Sequence, residues 1–316
     1  MARVLVFREL PPDQLARLQA AHEVVVADPR QTAQRAAFDA ALAEAEGLIG
    51  ASVKIDAARA PKLKAISSIS VGVDNYDLAD LKARGIMLCH TPGVLTETTA
   101  DTIFALIMAT SRRLVELANL VREGRWNRNI GPDLFGWDVQ GKTLGILGYG
   151  RIGQALARRA ALGFNMPVRY HSRRPEAVPG LEGRALHGSL DEVLASSDII
   201  ALTLPLSEET RGLMGAREFA LMKPGAIFVN GARGAIVQED ALLAALDRGH
   251  LRAAGLDVFA TEPLPLDSRL RSHPKVTPLP HIGSATHETR YRMAVLATDN
   301  LLAALSGLRP PAAYPL

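Results

Sequence analysis

The chain contains a single cysteine, Cys89, among its 316 residues, which excludes a disulfide framework and a cysteine-based metal site. No apolar run approaches the roughly 20 residues needed to cross a bilayer. The opening stretch, residues 1–7, is too short and too soon charged for a signal peptide. Basic residues form no long block, which argues against nucleic-acid binding. We therefore expect a cytoplasmic protein with no metal site and with neither a nucleic acid nor a membrane as partner.

What is present is the composition of an ordinary globular protein, with 48% hydrophobic and 22% charged residues and a net charge of +3. The length suits two cores better than one. Short apolar runs alternate with amphipathic helical stretches, and this alternation predicts parallel α/β layers. The first third has predicted strands at residues 4–7, 23–26, 47–50, 65–69 and 86–89, with predicted helices at 13–20 and 31–44.

A second strand and helix series follows a long helical pattern over residues 97–121. Its predicted strands lie near residues 141–147, 168–170, 198–202, 226–229, 255–258 and 276–279, with a capping box at 189–192 and a final helix at 288–305. We expect the final helix to return the chain to the first domain. The predicted fold is two Rossmann-like, doubly wound parallel-sheet domains flanking an active-site cleft. They would comprise residues 1–98 with 288–316, and residues 99–287.

Residues 125–138 form a predicted loop that is rich in aromatic side chains. Trp126, Phe135 and Trp137 lie in it. Such side chains either pack against another subunit or cover their own domain. The sequence leaves these two alternatives open.

A glycine-rich motif, Gly-Tyr-Gly-Arg-Ile-Gly, occupies residues 148–153. It follows a predicted strand and opens a predicted helix, which is the context that dinucleotide binding requires. Gly148 permits a tight turn, Gly150 lets the backbone approach a pyrophosphate, and Gly153 lets the helix pack closely. The N–H groups of Arg151 and Ile152 would meet the phosphates, because the helix dipole favours anions there. The alternative is a glycine-rich turn without a ligand.

The end of the next strand indicates which nicotinamide cofactor binds. NAD sites place Asp or Glu about 20 residues after the glycines, but this chain has no carboxylate there. Ser172, Arg173 and Arg174 instead offer a hydroxyl and two guanidiniums that suit a 2′-phosphate. We predict a preference for NADP(H), with NAD(H) as a second accepted cofactor. A solvated basic turn is the alternative.

Arg233, Glu262 and His281 each stand in a short loop just past a predicted strand, where open α/β sheets bind their ligands. Reducing a 2-keto acid needs a cation that anchors the carboxylate and polarises the carbonyl, which suits Arg233. It also needs a proton donor, which suits His281 because histidine titrates near neutral pH. Glu262 would orient the imidazole and favour its charged form. The trio predicts a nicotinamide-dependent reductase of small 2-keto acids.

The loop after the predicted strand at residues 65–69 is a second candidate for binding the substrate. The backbone N–H groups of Val71, Gly72 and Val73 would cradle the carboxylate, unless this is a plain strand-to-helix turn. The other histidines are predicted to be structural or solvated: His22, His90, His171, His187, His250, His273 and His287.

At these residues the chain resembles the D-2-hydroxyacid dehydrogenase family, and within it the bacterial glyoxylate/hydroxypyruvate reductases, also described as 2-ketogluconate reductases. The resemblance runs essentially the whole length. Its specific segments are residues 70–75, 90–93, 148–153, 204–206, 230–234, 254–259, 262–263 and 281–286.

The resemblance implies that Arg233, Glu262 and His281 are the catalytic set. It also assigns cofactor or substrate contacts: Asp257 to the nicotinamide carboxamide, Leu204 and Pro205 to the adenosine, Thr210 to a phosphate or ribose, and Ser284 to the nicotinamide or substrate. A homodimer formed through the nucleotide-binding domain is a further implication. The implied reaction converts glyoxylate, hydroxypyruvate or 2-ketogluconate to the D-2-hydroxy acid.

The chain departs from the pattern of relatives in three respects. Val73 stands where tyrosine is frequent, and Leu134 with Phe135 replaces a Trp-Tyr pair, so the choice of keto acid stays open, as does whether the 125–138 loop reaches a neighbouring active site. Glu262 replaces the glutamine of formate dehydrogenases, which argues against formate oxidation. Two alternative functions remain at this point, a nicotinamide-sensing module of the corepressor type and a phosphoglycerate or phosphite dehydrogenase.

Overall fold

The computed structural model describes all 316 residues. The chain divides into two compact units, Met1–Leu95 with Ala285–Leu316, and Thr96–Ser284. Each unit contains one parallel sheet. No helix in the structure combines the length and the apolar character that crossing a membrane requires.

The first unit is built on a five-stranded sheet in the order β2-β1-β3-β4-β5. Its strands are β1 (Arg3–Val6), β2 (Glu23–Val26), β3 (Gly47–Gly50), β4 (Ala65–Ser68) and β5 (Met87–Cys89). Its helices are α1 (Pro12–Ala21), α2 (Arg35–Glu44), α3 (Leu78–Ala83) and, from the C-terminal segment, α11 (His287–Leu305). All strand pairs are parallel, and the central strands β3 and β4 are buried along their whole length.

Helix α11 packs on the first sheet, as expected for a final helix that returns to the first domain. Ser67 Oγ on β4 donates to the carbonyl of Ala297 at 2.7 Å, and Asn300 Nδ2 donates to the carbonyl of His90 at 3.0 Å. Gly47 gives the helix its close approach, because a Cβ there would lie 2.8 Å from Leu305. The helix begins at His287, capped by the hydroxyl of the residue before it.

The second unit contains a seven-stranded parallel sheet in the order β12-β11-β10-β9-β6-β7-β8. Its strands are β6 (Leu144–Leu147), β7 (Val168–His171), β8 (Ala185–His187), β9 (Ile199–Leu202), β10 (Ala226–Asn230), β11 (Leu251–Leu256) and β12 (Val276–Pro278). Its helices are α4 (Thr96–Ser111), α5 (Leu114–Arg122), α6 (Arg151–Arg158), α7 (Leu190–Ser196), α8 (Ala216–Leu221), α9 (Glu239–Asp247) and α10 (Arg269–Ser272).

Both faces of the second sheet are covered, which explains its continuous apolar strands. Successive residues of a strand point to opposite faces, so Ile146 lies in one core cluster and Leu147 in the other. Two doubly wound parallel sheets confirm the predicted fold class. The capping box at the start of α7 is also confirmed, with the Glu192 amide donating to Ser189 Oγ at 3.2 Å.

Two predicted elements differ from the structure, and one strand of the structure was not predicted. The single helix at 97–121 is wrong, because Arg113 adopts a left-handed φ of 55° and separates α4 from α5. Its guanidinium donates to the carbonyl of Asp133 at 2.6 Å, a tertiary contact that the helical pattern does not encode. The strand predicted at 255–258 begins earlier, at Leu251, and ends at Leu256. Strand β8 is not among the predicted strands.

Candidate active site

The predicted functional residues of the second unit gather at one edge of its sheet. The chain runs from β6 to β7 and β8 and then returns to β9 on the other side of β6, so the strand order switches between β6 and β9. Ligands of open α/β sheets bind beyond the carboxyl ends of the strands at such a switch point. The glycine motif follows β6, Arg233 follows β10, and His281 follows β12, all at this edge.

The glycine motif has the geometry of a dinucleotide-binding turn. Gly148 has a φ of 98°, and a Cβ there would lie 2.7 Å from the Leu204 backbone nitrogen. A Cβ on Gly153 would lie 2.3 Å from the Gly148 carbonyl oxygen, so α6 packs against the turn as only glycine allows. At Gly150 no heavy atom lies within 4 Å of the Cβ position, which leaves space for a ligand. The residues present therefore fit a pyrophosphate at the N-terminus of α6, where Arg151 begins the helix.

The side chains of Arg173 and Arg174 are exposed and make no hydrogen bond or ion pair. They are therefore available to an anion. Ser172 Oγ donates to the Arg174 carbonyl at 2.6 Å, so this hydroxyl also shapes the turn. Thr210 Oγ1 donates to the Pro205 carbonyl at 2.8 Å and closes the loop after Leu204. The cofactor contacts predicted for Leu204, Pro205 and Thr210 stay predictions.

Arg233 is held in a loop shaped by Asn230, the buried last residue of β10. Asn230 Nδ2 donates to the Arg233 carbonyl at 3.0 Å, and its Oδ1 accepts from the Ala232 amide at 3.0 Å. A Cβ on Gly234 would lie 1.8 Å from the Phe259 carbonyl carbon, so the loop lies directly against the segment that leads to Glu262. Only glycine permits this approach, which brings the arginine towards the glutamate.

Glu262 and His281 form a hydrogen-bonded pair. Glu262 Oε2 lies 2.7 Å from His281 Nδ1, and Oε1 accepts from the Phe259 amide at 2.9 Å. A carboxylate accepts only, so Nδ1 carries the proton and Nε2 is the nitrogen left for a substrate. The His281 side chain is 47% exposed, which makes Nε2 accessible. This is the geometry expected of an imidazole oriented as a general acid or base.

The backbone of His281 is unusual, with a φ of 54° in the left-handed region that side chains disfavour. Asp257 stabilises the loop that follows. Its Oδ1 accepts from the Ile282 amide at 2.8 Å, and its Oδ2 accepts from the Gly283 amide at 2.9 Å. Asp257 is therefore a positioning residue for His281. Each oxygen keeps a second lone pair, so the predicted contact with a carboxamide stays open.

The pKa values of the two carboxyl groups of the site are shifted in opposite directions. Burial raises the pKa of Asp257, and the Ile282 amide and the charge of His281 oppose this only in part. Burial would also raise the pKa of Glu262, but the hydrogen bonds from His281 and Phe259, with the charges of His281 and Arg233, outweigh it and lower the pKa. Glu262 is therefore ionised at neutral pH and accepts the hydrogen bond from His281 Nδ1 as a carboxylate.

The proposed carboxylate loop of the first unit follows β4. The Ser70 carbonyl accepts from the Thr91 amide at 2.9 Å, and His90 Nδ1 lies 3.0 Å from the Val71 carbonyl. The Val73 side chain is buried in the core of the unit. Val73 thus offers its backbone and not its side chain to the loop, and its predicted contact with the substrate carboxylate stays a prediction.

Several supporting roles were missed by sequence reasoning. Asn230 and Asp257 shape the two catalytic loops, and His90, predicted to be structural or solvated, contacts the carbonyl of Val71. A signal was present, because each stands at the carboxyl end of a predicted strand. The structure places Ser284 directly after the Asp257-bound amides, half-buried, and its predicted contact stays a prediction.

Comparisons with known proteins agree with this geometry. Residues 104–283 match the family described as D-isomer specific 2-hydroxyacid dehydrogenase, NAD binding domain. The chain is 53% identical over 310 residues to glyoxylate/hydroxypyruvate reductase B of Shigella boydii serotype 4 (strain Sb227), covering 96% of this chain and 95% of that protein. It is 52% identical over the same length to the protein of that name in Escherichia coli (strain SMS-3-5 / SECEC), with the same coverage. The chain belongs to the D-isomer specific 2-hydroxyacid dehydrogenase family.

Solved structures show the same fold over the whole chain. A protein from Thermus thermophilus superposes with a TM-score of 0.90 and 46% identity, covering 99% of this chain and 100% of that one. The NADPH-dependent glyoxylate/hydroxypyruvate reductase from Sinorhizobium meliloti, in complex with NADP and malonate, has a TM-score of 0.88 and 33% identity, covering 99% of this chain and 96% of that one. The resemblance inferred from the motifs is thereby confirmed.

Proposed function

We propose that the protein reduces small 2-keto acids to D-2-hydroxy acids with NADPH. The observation that carries the proposal is the Glu262–His281 pair, 2.7 Å apart, at the same sheet edge as the glycine turn and the Arg233 loop. Relatives more than half identical are named glyoxylate/hydroxypyruvate reductases, which supports glyoxylate and hydroxypyruvate as substrates. 2-Ketogluconate is the third candidate, since the sequence does not define the size of the substrate pocket.

In the proposed reaction, Arg233 anchors the substrate carboxylate and polarises the keto group. His281 Nε2 donates the proton to the carbonyl oxygen, and Glu262 stabilises the imidazolium that makes this donation possible. NADPH supplies the hydride when it is bound at the glycine turn. Within the second unit, Ser284 is proposed to contact the substrate, and the amides of residues 71–73 are the carboxylate-binding candidate of the first unit. In the reverse direction His281 acts as the base.

Purified protein is expected to oxidise NADPH when glyoxylate, hydroxypyruvate or 2-ketogluconate is added. Following the absorbance of NADPH with each keto acid in turn measures kcat/KM, and the ranking gives the size class of the pocket. D-glycerate, and not L-glycerate, should be the product of hydroxypyruvate. Tight NADPH binding without turnover of any keto acid would instead support the nicotinamide-sensing module.

The preference for NADPH is proposed to depend on the unpaired side chains of Arg173 and Arg174. Replacing both by alanine removes the groups that would bind the 2′-phosphate, so KM for NADPH should rise by about 100-fold or more while KM for NADH changes little, since two charge-assisted contacts of about 1.5–3 kcal/mol each are lost. Steady-state kinetics with both cofactors measure this.

The matched control is Arg184→Ala, an exposed arginine of the same unit that hydrogen-bonds the Ala161 carbonyl. It should leave both KM values unchanged. Equal kcat/KM for NADPH and NADH in the unsubstituted protein would contradict the proposed preference at the outset.

A homodimer formed through the second unit is proposed from its exposed apolar side chains. Helix α5 has no buried residue, and Leu114 and Val121 on it are exposed. Trp126 and Phe135 in the following loop are exposed as well, an arrangement that marks interaction surfaces. Sedimentation should show a dimer, and Phe135→Glu should shift it to monomers. Leu162→Glu, at an exposed leucine elsewhere in the unit, should leave the dimer intact. A monomeric unsubstituted protein would end this proposal.

The cytoplasmic location inferred from the sequence stays a prediction.

A further inference from the structure

Strand β8, which the sequence did not predict, ends beside the turn that carries the two cofactor arginines. We call residues 172–176 the arginine turn. His187, the last residue of β8, has its Nε2 3.0 Å from the Ser172 carbonyl. A carbonyl oxygen only accepts, so Nε2 is the donor whether the ring is neutral or charged. The first residue of the arginine turn is therefore tied to β8 by a side chain.

The other end of the arginine turn is tied to β7. The Tyr170 hydroxyl donates to the Glu176 carbonyl at 2.9 Å and accepts from the Glu176 amide at 2.9 Å. Inside the turn, Ser172 Oγ donates to the Arg174 carbonyl at 2.6 Å. The backbone that carries Arg173 and Arg174 is thus fixed at both ends and in its middle by side chains.

The same side chains connect the arginine turn to the glycine turn. The ring of Tyr149, between the first two glycines of the motif, stacks on Tyr170 with centroids 3.6 Å apart and planes 11° apart. His187 contacts the edge of Tyr170, with centroids 5.4 Å apart. The stack fixes the spacing between the two turns, and a dinucleotide carrying a 2′-phosphate has to bridge that spacing.

We propose that His187 is a positioning residue for cofactor discrimination, acting through its hydrogen bond to the Ser172 carbonyl and not through contact with the cofactor. The inference rests on the proposed preference for NADPH through Arg173 and Arg174. Long arginine side chains lose rotamer freedom when they bind a phosphate. Because the backbone that carries them is already fixed, no further conformational entropy is lost in ordering it when the cofactor binds. NADH has no 2′-phosphate for the arginine turn to bind, so the hydrogen bond between His187 and the Ser172 carbonyl should affect the binding of NADPH alone.

The direct test replaces the donor and keeps the ring. His187→Phe retains a ring against Tyr170 and removes the hydrogen bond. The ratio of kcat/KM for NADPH to that for NADH should fall roughly threefold to tenfold, the effect of one lost hydrogen bond. His187→Gln supplies a new N–H donor and should recover most of the ratio. Calorimetry should show weaker binding of adenosine 2′,5′-bisphosphate to His187→Phe, with binding of 5′-AMP unchanged.

Three outcomes distinguish the positioning role of His187 from the proposed NADPH preference on which it rests. If the double alanine variant of Arg173 and Arg174 abolishes the preference but His187→Phe retains it, the positioning role is wrong and the arginine proposal stands. If His187→Phe weakens both cofactors equally, the histidine serves general structure and the positioning role is again wrong. If the double variant leaves the preference intact, the arginine proposal fails, and the inference fails with it.

Discussion

His281→Gly is expected to lower kcat for keto-acid reduction by about 10²–10⁴-fold, because it removes the proposed proton donor. Glycine suits this position, since the φ of 54° lies in the left-handed region that glycine adopts without strain. The variant should therefore unfold at a temperature no lower than His281→Ala, which retains the strained conformation. Added imidazole should restore part of the turnover, because the variant leaves a gap beside the Glu262 carboxylate.

The matched control is a second histidine–carboxylate pair in the same unit. His273 Nε2 lies 3.2 Å from Asp247 Oδ1. His273 precedes the amino end of β12, whereas His281 follows its carboxyl end, so the two pairs lie at opposite edges of the sheet. His273→Ala should leave kcat unchanged. Turnover of His281→Gly within about tenfold of the unsubstituted protein, without imidazole, would remove the general-acid assignment.

The trio and the glycine turn could be predicted from sequence because each is a short motif at the end of a strand. Residues 148–153 fix their own turn, and Arg233 and His281 follow apolar strands that are evident by themselves. Parallel pairing then places these ends at one edge of the sheet without any knowledge of long-range contacts. The strands of the first sheet were predictable for a related reason, since β1, β2, β3 and β5 are short runs of mostly apolar residues and β4 is apolar in its first half.

The elements that were missed or predicted with wrong bounds depend on contacts between residues that are distant in sequence. Strand β8 consists of alanine, leucine and histidine, which have no strong strand preference, and it exists because it pairs with the edge of β7. Residues 253–255 of β11 are small, and α4 packs on this strand, with Leu106 only 2.7 Å from where a Gly255 Cβ would lie. The supporting bonds of Asn230, Asp257 and His187 likewise need the folded chain before they can be identified.

Arg233→Ala is expected to lower kcat/KM for keto acids by about 10²–10³-fold, the effect of losing one strong donor to developing negative charge. Both kcat and KM should change, because the guanidinium is proposed to bind the carboxylate and to polarise the keto group. The two Asn230 bonds should keep the loop in shape in the variant, because they involve only backbone atoms of Ala232 and Arg233, although the bond from the Arg233 guanidinium to the Ala232 carbonyl at 2.9 Å is lost.

Lysine should restore little of this loss, because an ammonium cannot offer the two parallel N–H donors that bind a carboxylate. Added guanidinium should restore more of the turnover of Arg233→Ala. Arg217→Ala removes an arginine that pairs with Asp191 and Glu218 in the same unit and should leave both parameters unchanged. A variant of Arg233 with a raised KM and an unchanged kcat would show uniform binding, and polarisation would then have to come from His281 alone.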